Sequence, residues 1–115
     1  LQKRLGDAWG DTIVAIVTEF GRTVRVNGTR GTDHGTGTAA VLTGGAVNGG
    51  RVIADWPGLG NGDLYQGRDL RPTTDIRGVF KGLLADHLGV PVSLIEGSVF
   101  PGSAEAVLIT DLVRA

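Results

Sequence analysis

The sequence predicts an α/β fold with a mostly parallel sheet, of which these residues form one part. Three observations predict it. Residues 12–18, Thr-Ile-Val-Ala-Ile-Val-Thr, are a near-continuous apolar, β-branched run; without polar alternation such a run reads as a strand covered on both faces. A helix from about Thr74 to Leu88 carries Ile76, Val79, Phe80, Leu83, Leu84 and Leu88 at three-and-four spacing, which gives it one apolar face. The remaining elements are too few to flank a doubly covered strand on both sides. The chain also opens at Leu1 in what reads as a helix tail, and it contains no Met. The expectation is therefore a single partial domain over residues 1–115.

Taken in order, the strand at 12–18 ends abruptly in Glu19-Phe20-Gly21-Arg22. In open α/β sheets the carboxyl edge of a buried strand is where ligands bind. Residues 27–37, Asn-Gly-Thr-Arg-Gly-Thr-Asp-His-Gly-Thr-Gly, carry no hydrophobic side chain and read as a long functional loop. A second strand is predicted over Thr38–Thr43, stopping at Gly44-Gly45, and an extended arm over Arg51-Val52-Ile53-Ala54 leads to Asp55-Trp56-Pro57-Gly58. Residues 58–72 are polar and glycine-bearing. Thr73 or Thr74 can cap the helix that follows, Asp75 suits its positive N-terminal dipole, and Gly89 with Pro91 ends it. Val92–Glu96 reads as a helical turn, Phe100–Ser103 as a turn and Ala106–Val113 as a last apolar segment.

Composition removes several function classes. Lys plus Arg is 11 against 12 for Asp plus Glu, a balance with no broad basic face for nucleic acid. Cysteine is absent, which removes disulfides, thiol redox chemistry and thiolate zinc sites. The longest fully apolar run is Ile13–Val17, far short of the ~18 residues a membrane helix needs. Glycine is 20 of 115 residues, more than twice the usual ~7%, and its scatter among β-branched residues predicts many tight loops.

The candidate site residues are Glu19, Arg22, Asp33 and His34. Asp and His side chains coordinate divalent cations, and the glycines around Asp33-His34 let backbone and ligand approach closely. Glu19, at the end of the buried strand, is placed to share a metal with His34 across the loop. Arg22 and Arg30 flank this region and suit an anionic ester group through bidentate hydrogen bonds; the solvated surface reading fits Arg30 better than Arg22. Thr18, Thr32 and Thr36 lack an adjacent base beyond His34. Gly35–Ala40 fits a dinucleotide fingerprint only superficially, because a strand follows it where a helix should open. His87 reads as a boundary histidine on the predicted helix, and Asp55–Gly58 as a turn with a packed Trp.

Thr18-Glu19-Phe20-Gly21-Arg22, Gly31-Thr32-Asp33-His34-Gly35-Thr36, Gly49-Gly50-Arg51-Val52, Asp55-Trp56-Pro57-Gly58-Leu59, Thr73-Thr74-Asp75-Ile76-Arg77 and Phe100-Pro101-Gly102 form an ordered series over residues 8–102. That series resembles the C-terminal part of a bacterial domain-of-unknown-function family that carries twin-arginine export signals and belongs to the alkaline phosphatase and sulfatase superfamily. The resemblance implies the C-terminal portion of an alkaline phosphatase-like three-layer sandwich. It further implies a divalent metal ion, zinc or calcium, held by Glu19, Asp33 and His34, with Arg22 on the anionic group in the catalytic role. An exported, periplasmic location and a small anionic ester as partner follow, together with the remainder of the parent chain. Phe20 stands where the superfamily has a ligating His, and its nucleophile lies upstream of Leu1. The functional expectation is part of a metal-dependent hydrolase acting on phosphate or sulfate esters, the fragment alone being inactive. The alternative is a non-catalytic exported binding or scaffold protein with a degenerate metal site.

Overall fold

The structure, a computed structural model, describes residues 1–114. Its regular elements are short. Helix α1 spans Gln2–Leu5 and runs into a 3₁₀ turn over Gly6–Asp11; strand β1 spans Val14–Ile16 and β2 Val41–Thr43. Helix α2 covers Ile76–Gly82 and widens into a π-helical turn over Leu83–His87. Helix α3, Val92–Leu94, widens likewise over Ile95–Val99. No helix among the described residues is long and apolar enough to cross a membrane.

The expected mostly parallel sheet of a three-layer sandwich is not present among the described residues. Among the described residues β1 and β2 form a two-stranded antiparallel sheet. The apolar run at 12–18 contributes only its middle three residues to that sheet, and Ile16 and Val17 are exposed. A strand of this composition is buried by strands on both sides and helices above and below; here β2 is its one neighbour, so the flanking residues have nothing to pair with. The predicted strand at 38–43 shortens to 41–43 for the same reason.

The described residues cluster as two compact units. The first comprises Leu1–Ala15, Leu42–Arg51 and the segment from Asp75 onward; the second comprises Ile16–Val41 and Val52–Thr74. The buried apolar residues of the first are Ala46, Val47, Ile95, Ala106 and Leu112, and in the second Leu64 stands alone.

Helix α2 begins at Asp75, whose Oδ1 accepts the Arg77 amide at 2.9 Å. The cap is therefore one or two residues later than the threonines predicted. Gly89, at φ +65°, reverses the chain at the other end, and the Gly89 and Val90 amides satisfy the carbonyls of Ala85 and Leu84. The face that α2 buries is not its apolar one. Gly78, Lys81 and Gly82 are its buried residues, packed on the segment 107–112, and the Ile109 amide donates to the Gly78 carbonyl at 3.0 Å. Ile13, Phe80, Leu83, Leu84, Leu88 and Phe100 instead line an open groove of about 490 Å³ within the first unit.

Glycine at 82 is a steric requirement. A Cβ there would run into the Ile109 carbonyl oxygen and sit 3.3 Å from the Leu112 Cδ1. Helix propensity alone favours Ala over Gly by about 1 kcal/mol, but overpacking against a backbone atom costs about 1–3 kcal/mol. Gly82→Ala is therefore expected to lower Tm in a thermal melt; a rise would show that the 107–112 segment yields.

Lys81 is fully buried, and its Nζ donates to Glu96 Oε1 at 2.8 Å and to the Ser103 carbonyl at 2.7 Å. This ammonium pins the turn after α3 onto α2. The two partners differ in their access to water, because the Glu96 side chain is 41% exposed and that of Lys81 is 0%. Glu96→Ala strands a buried charge, a loss of about 3–5 kcal/mol. Lys81→Met leaves a carboxylate that reaches solvent, at the lower cost of about 1–3 kcal/mol for lost hydrogen bonds. Chemical denaturation should rank Glu96→Ala as the more damaging change; the reverse order would place the burden on the Ser103 contact.

Candidate functional site

All four predicted site residues lie in the second unit, on or beside three backbone segments: 21–24, 33–37 and 68–70. The Arg22 amide donates to the Gly37 carbonyl at 3.0 Å and the Gly37 amide to the Leu70 carbonyl at 3.0 Å. The Leu70 amide closes the ring on the Arg22 carbonyl at 3.1 Å. The third segment reaches this position through a reversal at Tyr65–Asp69, with Gln66 and Gly67 both at positive φ and the Asp69 amide returning to the Tyr65 carbonyl at 3.0 Å. Gly35 has no room for a side chain, since a Cβ would lie 2.6 Å from the Arg22 carbonyl oxygen and 2.9 Å from the Asp69 Cγ.

Two buried polar residues lock the segments together. Thr23 Oγ1 accepts the Asp33 amide at 3.0 Å and lies 3.3 Å from the Asp33 carbonyl, to which it donates; the Thr23 amide donates to the same carbonyl at 2.9 Å. Asp69 accepts the Arg68 Nε at 2.7 Å and the Thr36 hydroxyl at 2.9 Å. Those two hydrogen bonds, Arg68 first, hold the Asp69 carboxyl below its ordinary value of 3.8. Asp69 is thus a structural anchor and a poor proton acceptor, and Thr36 is committed to it. Sequence reasoning missed Thr23 and Asp69. The usable signals were a polar residue two places after the strand-end Gly21, and an Asp following the turn-forming Gln66-Gly67.

The predicted residues stand at the rim of this framework. Thr18 Oγ1 accepts the Phe20 amide at 3.1 Å and turns the chain after β1. Asn27 organises the loop: its Oδ1 accepts the Thr29 and Gly31 amides at 3.0 Å each, and its Nδ2 donates to Asp33 Oδ1 at 2.9 Å. The strand end and the loop meet where the Phe20 and His34 rings lie 6.4 Å apart, tilted by 53°. Glu19 and His34 are exposed. The Arg22 side chain makes one long contact, Nε to the Thr23 carbonyl at 3.5 Å, and no ion pair with Glu19 among the described residues. Among the described residues no group of three or more His, Cys, Asp or Glu is gathered to hold a metal ion. Glu19, Asp33 and His34 therefore do not fit a complete metal centre by themselves.

Residues 1–99 match a family model described as a protein of unknown function (DUF1501). The chain belongs to that family. A search of curated proteins and a search of solved structures each found no match. In this DUF1501 chain the residues that hold the framework, Thr23, Thr36 and Asp69, are thus distinct from those at its rim, Glu19, Arg22, Asp33 and His34.

The framework has a defined acid limit. A carboxyl whose native value is depressed adds stability that is complete above the unfolded value and fades as pH falls through the native one. For Asp69 the window lies at and below its ordinary 3.8. Asp69→Asn should weaken the protein at neutral pH and flatten the acid limb of a stability–pH curve; an unchanged acid limb would remove Asp69 from that role.

Proposed function

We propose that this segment supplies the anion-handling edge of a hydrolase-like protein acting on phosphate or sulfate esters, at an exported location. The observation that supports this most directly is the meeting of the strand end with the glycine-rich loop at Phe20 and His34. Arg22, Glu19 and His34 stand on the stretches of chain that meet there, with their side chains exposed. A guanidinium offers a planar fork of N–H donors that matches the oxygens of a phosphate or sulfate group. Imidazole at His34 is the group suited to move a proton to or from an ester oxygen. A divalent cation held by Glu19, Asp33 and His34 would need further donors from outside these residues.

The alternative is a non-catalytic binding or scaffold role, and one residue favours it. Phe20, beside Glu19, puts a non-ligating ring against His34.

The test is hydrolysis of an aryl phosphate and an aryl sulfate by the full-length protein carrying this segment, with and without added divalent cation. Residues 1–115 alone are expected to turn over neither ester, because a site missing members of its machinery loses most of its power. The full-length protein is expected to hydrolyse one, with Arg22→Ala lowering kcat/KM about a hundredfold. Absence of turnover by the full-length protein gives the binding role; turnover that Arg22→Ala and His34→Ala leave untouched overturns the assignment.

A further inference from the structure

Behind Arg22 the second unit has a cleft of about 190 Å³ lined by Arg22, Val24, Trp56, Leu59 and Leu70. Below roughly 300 Å³ a site is too small for a drug-sized ligand, so this volume admits a single ring with a substituent. Its walls divide by chemistry. Val24, Leu59 and Leu70 give an apolar floor, Trp56 gives an indole that is 60% exposed, and Arg22 gives a charge at the edge.

The walls are braced from behind. Arg71 Nε donates to the Asp63 carbonyl at 2.8 Å and its Nη2 to the Leu64 carbonyl at 2.9 Å; Arg25 Nη2 donates to Asn61 Oδ1 at 2.8 Å. The Gly60 amide donates to Asp63 Oδ2 at 2.9 Å, and Gly58 at φ +103° turns the chain between Trp56 and Leu59. Arg25 and Arg71 are thus spent on the loop, and Arg68 on Asp69. Arg22, with both Nη groups uncommitted among the described residues, faces the cleft.

We propose that this cleft binds a six-membered ring with an apolar face bearing an oxyanion, the ring stacked on Trp56 and the phosphate or sulfate group on Arg22. Large aromatic faces take apolar ring surfaces in offset stacking, and the guanidinium fork fixes the anion's orientation. The inference rests on the anion-handling role of Arg22 given above and adds the class of group carried by the anion. A sugar or an arene fits the ring position, since both present an apolar face.

The experiment is calorimetric titration of the full-length protein with non-hydrolysable sulfonates, which separates binding from turnover. Benzenesulfonate tests the arene and 6-deoxy-6-sulfoglucose the sugar, with benzyl alcohol and glucose as their neutral counterparts. At least one sulfonate should bind saturably where its neutral counterpart does not. Arg22→Met should weaken that binding roughly tenfold to a hundredfold, the range for a lost charge-assisted hydrogen bond. Trp56→Ala should abolish it, and Arg30→Met, at an exposed arginine outside the cleft, should leave it unchanged. Equal binding of sulfonate and neutral ring, binding of neither sulfonate, or indifference to Arg22→Met and Trp56→Ala overturns the proposal. Sulfonate binding without ester turnover retains the cleft and removes the hydrolase; turnover without it does the opposite.

Discussion

At Gly82 a methyl group would run into the Ile109 carbonyl oxygen, and at Gly35 it would run into the carbonyl of Arg22. Each unit is held where one stretch of backbone lies directly on another with no Cβ between them. This constraint sets the rest of the architecture. Backbone at that distance must be hydrogen-bonded, because a buried N–H or C=O without a partner costs on the order of a full hydrogen bond. In the first unit the Ile109 amide meets the Gly78 carbonyl, and in the second the Arg22, Gly37 and Leu70 amides close a ring.

Close backbone contact leaves little apolar area to bury, and polar pins take over part of the work. Lys81, on α2, is completely buried with its ammonium on Glu96 and the Ser103 carbonyl, and Thr23 and Asp69 are buried among three loop segments. Such pins specify geometry through direction and distance, whereas apolar burial rewards area alone. A rim residue such as Arg22 or His34 can therefore sit on irregular backbone and still be held in place. Its neighbours Thr23 and Asp33 share three hydrogen bonds of 2.9–3.3 Å.

The exposure of the candidate residues was legible from the chain. An apolar run that stops at Glu19-Phe20-Gly21-Arg22, followed by a loop with no hydrophobic side chain, marks out residues that the structure leaves exposed. The framework was not legible, since Thr23 and Asp69 are 46 positions apart and neither stands in a pattern of its own. Trp56 read as packed in its turn, yet it is largely exposed beside Arg22. Nothing local to Asp55–Gly58 distinguishes a Trp that fills a core from one that walls a cleft.

By itself the sequence determined the helix at about 74–88, its stop at Gly89, the turn-rich loop at 27–37 and the absence of thiol chemistry. These follow from periodicity, from the φ that glycine tolerates and from composition, all of them local quantities. Tertiary structure alone decided which side of α2 is buried. Periodicity marks Ile76, Val79, Phe80, Leu83 and Leu84 as the inward face; the segment 107–112 instead packs on Gly78, Lys81 and Gly82. It decided the sheet as well, because a β-branched run fixes a preference for extended backbone but not the number or direction of its neighbours. Pairing depends on which strands arrive beside it, and among the described residues only β2, running antiparallel, does.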